Sequence, residues 1–310
     1  MVKIKDVLTS DNPQLADLLS KVQQQPVSKK QIERMASRGL IWRPRQAVQT
    51  DGRMVGVCLL SQSESDGPGR YAVHIYVDPE QQRQGIGSAL YEDALAFAKA
   101  KGLSSFYAFV FEHRPGGVEF TQEKGFVVSR QTFHASLDVA SFDERPFIHH
   151  LTQNETNGIQ FTTLAELGDT TEHRRLLYEL NKTCSADIPG RGPFFTFAEY
   201  VKVRFENPAY RPNGVILALD GEKWTGLSAA MYHQQGNFVF NEMTGVLPAY
   251  HRRGIALALK LLAVRFARAI GAVEIRTFND SMNQPMLGVN EQMGYKRSST
   301  SYTMEIKFND

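Results

Sequence analysis

Cysteine is scarce in this chain. Cys58 and Cys184 are the only two in 310 residues. Two cysteines cannot build a disulfide framework, so a reducing compartment, the cytoplasm by default, is expected. Long apolar runs are missing as well. No stretch of eighteen apolar residues occurs, so no membrane-spanning helix and no membrane partner are expected. The start, Met1-Val2-Lys3-Ile4-Lys5-Asp6, lacks the apolar core of a signal peptide. Neither sign of charge dominates. Lys and Arg total 35 against 33 Asp and Glu, a net charge of +2 with no long basic block. Nucleic acid is therefore not the expected partner. Eight histidines show no metal-ligand spacing, so no metal is expected. The neighbours His149 and His150 would point to opposite faces of a strand.

What the chain does have is an internal repeat. Residues 77–90 read Val-Asp-Pro-Glu-Gln-Gln-Arg-Gln-Gly-Ile-Gly-Ser-Ala-Leu, and residues 246–259 read Val-Leu-Pro-Ala-Tyr-His-Arg-Arg-Gly-Ile-Ala-Leu-Ala-Leu. The same register carries Ala94 onto Ala263, Phe97 onto Phe266, Gly102 onto Gly271 and Gly125-Phe126 onto Gly294-Tyr295. A period this long is a duplicated domain rather than a solenoid repeat. With 42% hydrophobic and 22% charged residues, 310 residues suffice for two globular domains. The polar, weakly patterned segment Thr152–Gly158 is taken as the linker, which places the domains at 1–151 and 159–310.

Periodicity assigns similar elements to each half. In the first, helices are expected over Gln14–Gln24 and Lys29–Ser37, strands over Gln46–Thr50, Met54–Leu60 and Tyr71–Val77, and a helix over Gly85–Ala100. A strand over Ser105–Phe111, a short helix over Val118–Lys124 and a strand over Phe126–Leu137 follow. In the second half helices are expected over Glu172–Lys182, Phe197–Phe205, Arg253–Ile270 and Asn283–Gln292. Strands are expected over Val215–Leu219, Gly226–His233, Asn237–Val246, Val273–Phe278 and Tyr302–Phe308. The fold class is α/β in the α+β sense.

The repeated segment ends a strand and opens a long helix. Its two glycines, or Gly then Ala, let a backbone come close to a ligand. First-turn N–H groups lack intrahelical partners, and the helix dipole adds positive character there. Together they suit an anion such as a diphosphate. There is no Gly-x-x-x-x-Gly-Lys-[Ser/Thr], and neither half supplies the third glycine of a dinucleotide fingerprint.

Gln82-Arg83-Gln84-Gly85-Ile86-Gly87 and His251-Arg252-Arg253-Gly254-Ile255-Ala256 resemble the [Gln/Arg]-x-x-Gly-x-[Gly/Ala] signature of the GNAT N-acetyltransferase superfamily. His251 departs from it at the first position. Glu119–Phe126 and Asn279–Tyr295 are similar to the family's closing segment. The tandem layout is similar to that of double-GNAT acetyltransferases of the mycothiol synthase type. The resemblance implies two tandem GNAT domains, each a mixed, mostly antiparallel sheet flanked by helices. It implies acetyl-CoA as cosubstrate and transfer of an acetyl group directly to an amine, with a small-molecule acceptor expected. By the same resemblance, Val77 with Gln82–Gly87, and Thr244, Val246 and His251–Leu257, would hold the cofactor. Asn279 and Asn283 would approach its pantetheine arm; the first half has Val110 and Arg114 there. A monomer or a homodimer is expected.

The family often carries a carboxylate on the strand before this loop, and Glu242 is the carboxylate there. Its counterpart, Val73, cannot take a proton, and His74 has the opposite strand parity. A solvent-facing Glu242 paired with a basic neighbour is the plainer reading. The family's Tyr, four residues before the Gly-Phe pair, is replaced by Thr121 and Asn290. Asn290 could donate a hydrogen bond in catalysis or simply brace its helix. Asp187 could meet a cationic amine or serve as a turn residue, and Cys184 reads as structural. The second half is thus expected to catalyse and the first to be degenerate. Two alternatives stay open: a non-catalytic acyl-CoA-binding regulator, and transfer of a longer acyl group.

Overall fold

The computed structural model describes residues 2–308 except 25, 39–40, 63–65, 187, 190–191 and 193. Its elements in order are β1 (Lys3–Asp6), α1 (Asn12–Gln23), α2 (Lys29–Arg38), β2 (Ile41–Val48), β3 (Met54–Gln62), β4 (Arg70–Val77), α3 (Ile86–Lys101), β5 (Ser105–Phe111) and α4 (Pro115–Glu123). There follow β6 (Val127–Asp138), α5 (Arg145–Thr156), β7 (Ile159–Thr163), α6 (Thr171–Ser185) and α7 (Phe197–Tyr200), which runs into a π-helical turn Val201–Phe205. The chain ends with β8 (Tyr210–Asp220), β9 (Lys223–His233), β10 (Phe238–Val246), α8 (Ile255–Ala269), β11 (Glu274–Asp280), α9 (Gln284–Gln292) and β12 (Lys296–Lys307). Among the described residues no helix is long and apolar enough to cross a membrane.

The chain forms two compact units, and they do not follow chain order. One comprises residues 1–130 and 301–310, the other residues 131–300. In the first, the strand order is β1-β2-β3-β4-β5, closed by the end of β12. In the second it is β7-β8-β9-β10-β11, closed by β6. Pairing is antiparallel except between β4 and β5 and between β10 and β11. Each repeat's last strand thus completes the other repeat's sheet. Residues Thr132–Asp138 of β6 pair with β11, and Ser301–Lys307 of β12 pair with β5. Leu137 enters the core beneath α8, whereas Met304, Ile306 and Phe308 enter the core beneath α3. The sequence pattern identifies these strands but carries no information on which edge each one joins.

The linker expected at Thr152–Gly158 is instead the second half of α5 and the turn after it. Its other polar residues are exposed on the outer side of an amphipathic helix that buries Phe147, Leu151 and Asn154. β7, which adds an edge strand to β8, was not legible in the polar run that precedes it.

Candidate active site

The two repeated loops have the same backbone. Arg83 and Arg252 take φ of 61° and 60°, and Gly85 and Gly254 cap their helices at 80° and 78°. That left-handed conformation explains the first glycine of the motif. Gln82 Nε2 donates to the Val77 carbonyl at 3.3 Å. His251 Nε2 lies 2.8 Å from the Val246 carbonyl. The first motif position therefore ties the loop to the end of its strand, and histidine does this as well as glutamine. Ile86, Ile255 and Leu257 are buried, so what they offer outward is backbone N–H. Gln84 and Arg252 are exposed, and Arg253 leans over the Tyr250 ring at 4.8 Å. At Gly87 a Cβ would meet Phe120 at an ordinary 3.5 Å, which is why Ala256 is tolerated in the second copy.

The surroundings of the loops differ. In the second unit, Asn154 of α5 is 2% exposed and donates to the carbonyls of Arg253, at 2.9 Å, and His150, at 2.8 Å. A Cβ on Gly254 would fall 2.5 Å from His150 Nδ1, whereas one on Gly85 would meet nothing within 4 Å. His149 and His150 are helix neighbours with ring centroids 3.8 Å apart, not residues on opposite strand faces. Burial first, and then His149, lowers the pKa of His150. Asn154 escaped the sequence reading because its segment looked like a linker, and the His150 contact because sequence alone reads the two histidines as strand neighbours.

β10 and β11 pair in parallel only from Phe238↔Glu274 to Phe240↔Arg276. At that point β10 also slips one residue against β9, between Asn241 and Met243. Glu242 is the extra residue of this bulge, a device that re-aims side chains. Asn241 faces α8, and Met243 packs with Leu180 and Cys184 of α6. Glu242 is turned to that second side, its side chain 35% exposed and 3.0 Å from Arg204 Nη2. Arg204, from the π-helical turn, is buried and its guanidinium lies 5.0 Å from the Tyr200 ring. Sequence reasoning missed Arg204, which no motif marks.

The first unit has no such slip between β3 and β4. Val73 consequently points into the core beneath α3. The face matching that of Glu242 carries His74, so strand parity does not exclude His74 as the sequence argument held. The His74 ring stacks near Tyr76 and Phe109, both at 6.3 Å, and burial lowers its pKa.

Asn279 and Asn290, each 4% exposed, share one hydrogen bond from Asn290 Nδ2 to Asn279 Oδ1. Asn279 Nδ2 and Asn290 Oδ1 are left buried without a hydrogen-bond partner. Asn283 caps α9 by accepting from the Met286 N–H at 3.4 Å. Thr244 turns its hydroxyl inward to Asn241 Oδ1 at 2.9 Å, so only its backbone remains for a ligand. Thr121 bonds back to its own helix. Cys184 is buried in the α6 core, and Asp187 lies outside the described residues. A cleft of about 450 Å³ bordered by Asp138, Phe142, Glu274 and Met293 sits at the far end of β11 and holds none of these groups. The loop and gap suit a CoA arm: unpaired helix N–H groups for its diphosphate, and a buried donor and acceptor for its amides.

A family model described as the acetyltransferase (GNAT) family matches residues 11–126 and 175–295. The chain belongs to the GNAT family. It is an N-acetyltransferase built from tandem GNAT domains. It is 24% identical over 258 residues to a mycothiol acetyltransferase of Geodermatophilus obscurus, covering 81% of this chain and 78% of that one. To the mycothiol acetyltransferase of Catenulispora acidiphila it is 22% identical, covering 82% and 77%. A tandem GNAT protein from the clavulanic acid biosynthesis pathway superposes over the full length of both chains, with a TM-score of 0.68 at 19% identity. A GCN5-related N-acetyltransferase from Sphaerobacter thermophilus gives 0.67 at 15% identity, over 99% and 95% of the two chains. These structural likenesses show the fold.

Proposed function

We propose that this GNAT protein transfers the acetyl group of acetyl-CoA directly to the amine of a small molecule, and that the second unit does the chemistry. The observation that carries this reading is the β10 bulge. It turns Glu242 outward where β10 and β11 part, one strand-end away from the loop at Gly254. The named relatives act, by their names, on mycothiol chemistry, which supports a small acceptor.

Acetyl-CoA would supply a thioester that an amine can attack, releasing the CoA thiolate. Unpaired N–H groups at the start of α8, with Arg252 beside them, would bind its diphosphate. Asn279 Nδ2 and Asn290 Oδ1 would pair with amides of the pantetheine arm; this makes Asn290 a binding rather than an acid–base group. Glu242 would take the proton that the ammonium group must lose before nitrogen attacks carbon, and pass it to water. Arg204 fixes the carboxylate in place. No tyrosine acid is needed if sulfur departs as thiolate.

Thiol release from acetyl-CoA, measured with purified protein and an amino acid, an amino sugar, a polyamine and an arylalkylamine, tests the reading. Release should depend on one of these amines. Glu242→Gln should lower turnover by roughly 10²–10⁴-fold, the loss shrinking at high pH where free amine is already abundant. Amine-independent release, or a Gln variant as active as the parent, would overturn it. Propionyl- and longer acyl-CoA in the same assay separate acetyl transfer from transfer of larger groups.

A further inference from the structure

The second unit buries a lysine that the mechanism above does not use. Lys260 lies on the inner side of α8 and is 1% exposed. Its Nζ donates to Asn241 Oδ1 at 2.9 Å and stands 4.9 Å from the Tyr295 ring centroid. Asn241 is a hub. Its Nδ2 donates to Ser228 Oγ at 2.9 Å, and Thr244 Oγ1 donates to its Oδ1 at 2.9 Å. Its backbone carbonyl accepts from Thr277 Oγ1 at 3.0 Å, across the point where β10 and β11 stop pairing. Side chains from α8, β9, β10 and β11 thus converge on the residue that begins the bulge.

The first unit supplies an internal control. At the structurally corresponding positions, with the extra residue of the bulge allowed for, Lys260 is Tyr91, Asn241 is Val73, Thr244 is Ile75, Thr277 is Ala108 and Tyr295 is Phe126. Tyr91 packs on Phe126 with ring centroids 6.0 Å apart, and β4 runs without a bulge. The same architecture therefore forms with apolar residues throughout. The polar hub accompanies the bulge and the outward carboxylate, not the fold.

We propose that Lys260 is a positioning residue of the transferase, whose amine holds Asn241 and so sets the bulge that turns Glu242 outward. The proposal rests on the reading of Glu242 as the base. Burial brings the Lys260 pKa down to about 7, so the amine is uncharged above neutrality and titrates near it. The groups facing it are Ser228 from β9, Asn241 and Thr244 from β10, Thr277 from β11 and Tyr295 from the turn before β12. Tyr295 is the titratable one among them, and burial raises its pKa, so it too is uncharged. α5 presents His150 to the first turn of α8 at Gly254, and burial lowers the pKa of that imidazole. A cation formed at Lys260 has no counter-ion among these groups, and the hub must loosen or hydrate to hold it.

The test uses the full-length protein labelled with carboxyl-¹³C glutamate, with Glu242→Gln assigning the Glu242 signal. In the parent, that signal should move with an inflection near pH 7. In Lys260→Met the inflection should vanish and the signal should shift at every pH, while the protein melts at a higher temperature than the parent. A Glu242 signal with the same position and the same pH profile in both proteins would overturn the proposal. So would a lower melting temperature for Lys260→Met, which would make the lysine a structural brace. Failure of the base reading is separate: it appears as undiminished turnover in Glu242→Gln and leaves the carboxyl signal's dependence on Lys260 to be read on its own.

Discussion

Glu242 and Val73 occupy the same place in the repeat, yet one faces out and the other is core. The difference is one extra residue in β10 rather than the side chains themselves. The hub that accompanies this bulge opposes stability. An unfolded lysine keeps its proton up to its ordinary pKa of 10.5, whereas folded Lys260 gives it up near 7. Between those pH values unfolding takes up a proton, so stability rises with pH across the window. Below about 7 both states are protonated and the full penalty, on the order of 5 kcal/mol, remains. Lys260→Met should accordingly be more stable than the parent at pH 6 by several kcal/mol, and the gap should narrow by pH 10. Urea unfolding at the two pH values checks the sign. A gap that widens with pH would contradict it.

At the scale of elements, α5 decides how the second glycine-capped loop differs from the first. Asn154 braces the Arg253 carbonyl and His150 packs on Gly254. Asn154→Ala removes both of its hydrogen bonds from a buried site and should lower stability by about 1–3 kcal/mol. Acetyl-CoA affinity, measured by calorimetry, should weaken with it. Alanine at either loop glycine meets the left-handed backbone, a strain of about 1–2 kcal/mol. Gly254→Ala also collides with His150, while Gly85→Ala has open space. Gly254→Ala should therefore melt lower than Gly85→Ala, and adding His150→Ala should restore part of the difference. Equal melting temperatures for the two alanine variants would mean that His150 moves aside freely. Helix α8, with its glycine stop and aliphatic spacing, was readable from sequence because those signals are local. Helix α5 was not, because its inward face includes Asn154, a polar residue one of whose partners, Arg253, lies 99 positions away.

For the whole molecule, the exchange of final strands governs which pieces can stand alone. Residues 131–300 contain every strand of the second sheet, including the closing part of β6. Residues 1–151 leave β5 without its β12 partner and expose the core that Met304, Ile306 and Phe308 complete. The fragment 131–300 should unfold cooperatively and remain monodisperse. The fragment 1–151 should aggregate through the uncovered edge of β5. Circular dichroism melting and size-exclusion chromatography of both fragments decide the matter. A well-folded 1–151 would mean that β6 can serve either sheet.

The sequence by itself determined the duplication, the two glycine-capped loops, nearly all helices and strands, and Glu242 as the carboxylate on its strand. Those signals are local periodicity, turn chemistry and a motif whose glycine answers to a left-handed backbone at Gly85 and Gly254. Tertiary structure alone decided the rest. Strand pairing partners, the slip that turns Glu242 outward, the Arg204 pair, the His150 contact and the buried Lys260 hub each join residues far apart in the chain. A pattern of apolar and polar residues encodes which way a regular element faces. It does not encode which neighbour that face meets, nor where a register slips by one.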